Sequence, residues 1–395
     1  MDRRHDLDWI RVFAFSLLVL YHVGMYYVSW DWHVKSPFAS DTVEPLMLLS
    51  SPWRLGLLFL VSGAATAFLL ERRPAGFLGV RSWRLLVPLL FGMLVVVTPQ
   101  AYYEVVESRI PGGYHDGYLA FWGRYLAADP GFCDDDGCLD VPTWNHLWFV
   151  AYLWVYTVVL WSLLKLAPRV LPRVGAWLAP LLSGPGVLIL PALLLAAARL
   201  LLVGRFESTH ALVDDWYNHA QYLTLFLLGF LMARIAGFWN ALQRLRWQSA
   251  VIALASYGFL VWYFFWSGYD DDPPATARMA QRVVWAFNQW ASIAALLGFA
   301  AQLAPGDSPA LRYLGQAVFP IYILHQTVIV VAAHNLQPLG LRPLIEGPLL
   351  VLLTFSASFL GYEVIRRVGW ARPLFGLKRQ LSPQSPLADV RRSAG

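Results

Sequence analysis

Arg11 and His22 stand eleven residues apart in the segment RRHDLDWIRVFAFSLLVLYHVG. On a helix that interval turns through about 1,100°, within roughly 20° of three full turns, so both side chains leave one face about 16 Å apart along the axis. A guanidinium at one end of such a stripe suits an anionic group, and an imidazole further along suits proton transfer to or from a hydroxyl. Four other segments carry residues of comparable interest. FLVSG places Ser62 beside Gly63, a pair suited to close helix packing or, through the hydroxyl, to donation toward a developing oxyanion. RSWRLLVP sets Arg81 and Arg84 on one helical face, where two guanidinium groups near a helix start form a phosphate clamp. TWNHLWF groups Asn145, His146 and Trp148, and FPIYILHQ carries His325 just after Pro320.

Those residues need elements to hold them, and composition says which. Apolar residues make up 58% of the 395 and charged residues 14%, and mean hydropathy is +0.50. An average soluble chain is about half apolar and a quarter charged. The apolar excess lies in runs of about 20 residues, long enough to cross a bilayer. They fall at roughly 9–29, 53–70, 85–103, 145–165, 186–203, 217–236, 250–267, 283–303, 315–334 and 345–366. The expected fold is therefore all-α, a polytopic transmembrane bundle of about ten spans. A soluble enzyme, a nucleic-acid binder and a disordered scaffold are excluded as readings.

Ten spans put both termini on one side. With that side cytoplasmic, 21 of the 30 Lys and Arg residues lie inside, whereas 18 of the 25 Asp and Glu residues lie outside. Basic residues in a membrane protein set orientation in this way, so the pI of about 9.2 implies no polyanion partner. Residues 1–380 read as one transmembrane domain, and 381–395, rich in Ser, Pro and Arg, as a disordered cytoplasmic tail. The first span is too long for a signal-peptide core and no small-residue cleavage site follows it, so it is expected to stay. The longest extracytoplasmic loop, about 104–142, holds Cys133 and Cys138 in CDDDGC, a pair expected to be oxidised there. The acidic triplet between them reads as solvated charge, and no metal site is expected.

Ionisable side chains inside a bilayer cost on the order of 3 kcal/mol on insertion scales, which makes them markers of sites or of structural pairs. Most of the tryptophans, including Trp9, Trp30, Trp53, Trp144 and Trp216, fall near span ends as an interfacial belt. Glu363 precedes Arg366 and Arg367 at helical salt-bridge spacing, and Arg199 lies close enough to a span end to snorkel.

Taken in order, DLDWIR with His22, FLVSG, RSWRLLVP, NHLWF and IYILHQ resemble the integral-membrane acyltransferase family 3, in particular its glucans biosynthesis protein C branch. The likeness covers most of the chain and departs from the family's usual FxxSG-Phe at Ala64. It implies a multi-pass inner-membrane O-acyltransferase that takes a succinyl or acetyl group from cytoplasmic acyl-CoA, a co-substrate and not a tightly bound cofactor. The acceptor would be a hydroxyl of an extracytoplasmic carbohydrate or glycolipid, such as a periplasmic glucan. On this reading His22 is the general base, with His325 and Ser62 as further catalytic candidates. Arg11, Arg81 and Arg84 bind the coenzyme, and Asn145, His146 and Trp148 meet the acceptor. Two other classes fit the same spans: an exporter of polysaccharide or lipid-linked sugar without acyl transfer, and a sensor or assembly protein.

Overall fold

The computed structural model describes residues 4–72, 75–108, 113–134, 137–269, 272–303 and 306–379. The expected tail at 381–395 and the middle of the CDDDGC run lie outside the described residues. Every expected apolar run falls on helix. In chain order the α-helices are α1 (His5–Met25), α2 (Glu44–Leu48), α3 (Arg54–Arg72), α4 (Phe77–Phe91), α5 (Thr98–Glu107), α6 (Tyr118–Leu126), α7 (Trp148–Leu166) and α8 (Val170–Leu182). They continue with α9 (Gly186–Leu202), α10 (Trp216–Met232), α11 (Ala236–Arg244), α12 (Arg246–Val261), α13 (Ala275–Leu303), α14 (Pro309–Leu336) and α15 (Pro343–Arg367). The architecture is an all-α polytopic bundle.

Among the described residues, eight segments are individually long and apolar enough to span: α1, α3, the continuous 77–107 run, 145–166, 246–266, α13, 309–339 and α15. The other two expected spans are shorter. Both α9 and α10 have 17 residues, a rise of about 25 Å, at the lower limit for crossing. After α10 the chain bends by 112° into α11. Helix α8 was not expected, because its 13 residues are too few to span; it packs beside α7, α9, α10 and α11. Below, "inner" denotes the helix ends where Lys and Arg are concentrated.

Close packing fixes the centre. A Cβ on Gly63 would come within 1.9 Å of the Phe226 carbonyl oxygen, and one on Gly229 within 2.0 Å of the Leu60 carbonyl oxygen. α3 and α10 therefore meet backbone to backbone, and Gly63 of FLVSG serves that contact. Around it Phe59, Phe149, Tyr156, Phe226 and Trp290 form a buried aromatic core. α1 lies between α14, α13 and α3. At the inner end Glu363 pairs with Arg366 at 3.1 Å and Arg367 at 2.9 Å, as its spacing implied, and accepts from the Tyr313 hydroxyl at 2.8 Å, joining α15 to α14. Arg199 does more than snorkel. It donates to the Tyr217 hydroxyl at 2.7 Å and stacks on Trp285.

The outer segments are packed caps. α1 stops at Met25, four residues before the expected end of its span, and the Lys35 ammonium caps the carbonyls at and just beyond that end. It donates to Met25 O at 2.8 Å, Trp30 O at 2.7 Å and Val28 O. Burial holds this ammonium below its usual pKa. In the segment after α5, α6 and a short hairpin, β1 (Cys133–Asp134) and β2 (Gly137–Cys138), enclose Phe121, Tyr125 and Phe132. Cys133 and Cys138 form the expected disulfide. No cluster of three or more potential metal ligands occurs among the described residues.

Candidate active site

The two histidines singled out on α1 and α14 meet. His22 Nδ1 lies 2.8 Å from His325 Nε2, with the rings nearly coplanar at 6°. The tautomers follow from what lies behind. His325 Nδ1 is 2.6 Å from the Tyr322 carbonyl oxygen, which only accepts, so Nδ1 carries the proton and the neutral His325 ring presents a bare Nε2. That nitrogen accepts from His22 Nδ1–H, and the His22 lone pair is left on Nε2. A histidine oriented through one nitrogen with the other bare is the usual form of a general base.

His146 supports this pair. Its Nε2 donates to the Tyr322 and Ile323 carbonyls at 3.1 and 3.2 Å, and its ring stands edge-on to His325 with centroids 5.0 Å apart. The Tyr322 hydroxyl donates in return to the His146 carbonyl. His146 was expected to face the acceptor near the outer surface. At 7% exposure, with its Nε2 engaged on α14, it instead locks the start of α7 to the carbonyl that orients His325.

A second set of polar residues, missed in the sequence, joins these helices. Gln100 is fully buried. Its Oε1 accepts from Asn145 and from Gln326, both at 3.1 Å. Its Nε2 donates to Thr327 Oγ1 at 2.7 Å and faces His146 Nδ1 at 3.5 Å. Gln326 spends its other hydrogen on His33 Nε2 at 2.8 Å, so His33 Nδ1–H donates to Glu104. Asn145 is thus part of the scaffold. Its backbone is strained to reach that position, with φ at 38°, an uncommon value for a residue other than glycine.

The backbone that carries Gln100 is itself irregular. Pro99 cannot donate to the carbonyl four residues back, and the chain passes through a π-helical segment, 92–96, before α5. Carbonyls there are available to other partners: Met93 O and Leu94 O lie 2.9 Å from the Tyr125 hydroxyl and Trp122 Nε1, and Val96 O lies 2.6 Å from Thr327 Oγ1. The bulge couples the outer cap to α14 at Thr327, two residues from His325.

Toward the inner end, Arg11 Nη2 donates to Gly315 O at 2.9 Å, attaching α1 to α14. Arg11, Phe15, Leu18 and His22 form one stripe of α1. A small pocket of about 30 Å³ lies beside the middle of this stripe between α1, α14 and α15, lined by Phe15, Leu18, Val318, Tyr322, His325 and Phe359. Arg81 reaches toward α3, with Nη2 3.5 Å from Thr66 Oγ1 and Nε enclosed without a partner. Among the described residues neither Arg81 nor Arg84 has a carboxylate partner. Ser62 lies apart from the histidines. Arg54, at the outer start of α3, stacks on Tyr21, next to His22, and Ser62 is two turns, about 12 Å, further in.

The outer side of the pair is aromatic. Trp148 stacks on His210 at 4.1 Å, and the Trp144 indole donates to His210 O at 3.0 Å. His210, Leu212 and Asp214 all have positive φ, at 55°, 67° and 59°. Buried Asp215 holds this strained loop, accepting from the Tyr152 hydroxyl, from His210 N at 3.1 Å and from Asn218. Burial lowers the His210 pKa; the Asp215 carboxylate opposes the shift, the Arg54 charge adds to it, and the net value falls below 6.5.

Searches of curated proteins and of solved structures each found no match. The family model Acyl_transf_3, described as an acyltransferase domain, matches residues 4–363, nearly the whole chain and every residue of the histidine, glutamine and arginine sets above. The chain belongs to this acyltransferase family and is a multi-pass membrane acyltransferase.

Proposed function

We propose that the protein transfers an acyl group, succinyl or acetyl, from cytoplasmic acyl-CoA to a hydroxyl of an extracytoplasmic carbohydrate such as a periplasmic glucan or another surface glycan, in a bacterial inner membrane. The observation that carries this reading is the series Tyr322 O, His325, His22, which ends in a bare Nε2. In the proposed step that nitrogen takes the proton of the acceptor hydroxyl as its oxygen attacks the thioester carbonyl. The carbon–sulfur bond then breaks, and His22 returns the proton to the coenzyme A thiolate. His325 is a positioning residue, and no cofactor beyond the co-substrate is needed.

Arg81 and Arg84, without a carboxylate partner among the described residues, suit the phosphates of coenzyme A together with Arg11. The pocket beside Phe15 and Leu18 lies on the proposed route of the pantetheine arm from that mouth to the histidines. At about 30 Å³ it holds little more than a water, so loading of the donor requires those side chains to turn aside, a gating step of the kind common in enzymes. Trp148 and His210 are the proposed acceptor platform. Ser62, two turns below, has no part in this scheme.

Release of free thiol from acyl-CoA by purified protein with a glycan acceptor tests the proposal. A general base contributes about 10²- to 10⁴-fold, so His22→Ala should lose activity by that factor while retaining its fold. Full activity in a folded His22→Ala protein would remove the mechanism, and a wild type that releases no thiol would favour an exporter.

A further inference from the structure

Arg54 is 7% exposed. Its Nε and Nη1 are enclosed without hydrogen-bond partners, and among the described residues no carboxylate pairs with it. What it has is the Tyr21 ring, with Cζ 3.2 Å from the centroid. A guanidinium does not shed its proton in proteins, and burying one is costly. A desolvated cation–π contact returns only part of that cost, and the two enclosed nitrogens, with three N–H donors between them, add to it. The α3–α10 glycine contact holds the helix that carries Arg54. An enclosed cation with unused donors is a subsite for an anion.

Its place suggests which anion. Tyr21 is adjacent to His22 in α1, with ring centroids 6.1 Å apart, and the Arg54 charge also reaches His210. Arg54 therefore lies beside the outer side of the histidine pair, away from the inner mouth. A donor rising from that mouth brings its thioester to His22 and carries the far end of its acyl chain beyond it. We propose that Arg54 is a specificity-determining residue that receives a substrate carboxylate, and that the direction of the donor path assigns this carboxylate to the end of a dicarboxylic acyl group. This rests on the donor path proposed above. A carboxylate on an acidic sugar acceptor has the same chemistry, and the test separates the two.

Succinyl-CoA and butyryl-CoA have acyl chains of four carbons and differ in the terminal charge. In wild-type protein kcat/KM should favour succinyl-CoA by at least about 10²-fold, because butyryl leaves the guanidinium unpaired. In Arg54→Met that ratio should collapse toward one, with Arg54→Lys intermediate. If the donor ratio is near one, while a glucuronide acceptor is preferred over a glucoside in wild type but not in Arg54→Met, the anion subsite stands and the carboxylate belongs to the acceptor. Ratios that Arg54→Met leaves unchanged, for donor and acceptor alike, overturn the proposal. Equilibrium dialysis with unreactive thioether analogues of the two donors and with the two acceptor sugars answers the same question without turnover, and in wild type alone should Arg54→Met fail to fold. Charge-selective binding by a protein that releases no thiol would leave Arg54 in place and remove the acyl-transfer reading. His22-dependent transfer with no charge preference in wild type overturns only this inference.

Discussion

Replacing Gln100 by Leu changes the volume little and removes only polar atoms, which makes it a clean test of whether the buried network organises the site. Asn145 Nδ2 and one Gln326 hydrogen lose acceptors at 3.1 Å, and Thr327 Oγ1 loses a donor at 2.7 Å. The 3.5 Å approach to His146 is too long to add much. Three hydrogen bonds are lost inside the bundle, while Thr327 keeps its bond to Val96 O and Gln326 its bond to His33. Interhelical hydrogen bonds in membrane proteins average about 0.6 kcal/mol, giving a lower bound near 2 kcal/mol. An enclosed unpaired group costs about 1–3 kcal/mol, giving an upper bound near 9 kcal/mol for three. Because Gln100 also aligns Asn145 beside His146, kcat for thiol release should fall at least tenfold in the fraction that remains folded. Denaturant titration in mixed micelles measures the first effect and active-site-normalised kinetics the second. A stability loss under about 0.5 kcal/mol with unchanged kcat would refute the idea that this network positions the histidines.

Neutralising Arg81 and Arg84 together should raise KM for acyl-CoA at least tenfold and leave KM for the acceptor nearly unchanged; the opposite pattern would move the coenzyme site elsewhere. The His210 loop should loosen in acid. Its folded-state pKa is depressed below 6.5, so the unfolded chain takes up this proton first, and stability is lost as pH falls below about 6.5. Trp148 fluorescence, reporting the stack on His210, should change over that window in wild type and not in His210→Gln.

The spans were legible because hydropathy is local: each run of about 20 apolar residues needs nothing from the rest of the chain to become a helix. The Arg11–His22 stripe was legible for the same reason. The expected end of that span, residue 29, overran: α1 ends at Met25, whose carbonyl accepts from Lys35, ten residues on. The partners in the site were beyond local reading. His22 and His325 are 303 positions apart, and only the packing of α1 on α14 makes them a pair. Gln100, Gln326 and Arg54 drew no reading from the sequence, although Gln326 directly follows His325, because a lone polar residue in an apolar run does not show what the fold packs around it. For His146 the residue type was informative and its surroundings were not, because two carbonyls on α14 decide what its ring does.

The central claim is that the His22 lone pair sits on Nε2, held there by a proton donated from Nδ1 to His325. Nitrogen-15 spectra of histidine-labelled protein in lipid nanodiscs, with the His22 signals assigned by substitution, read this directly. The account predicts a protonated Nδ1 and an unprotonated Nε2 at His22, with that preference lost in His325→Ala. A protonated Nε2 at His22 in the resting wild-type protein would contradict it.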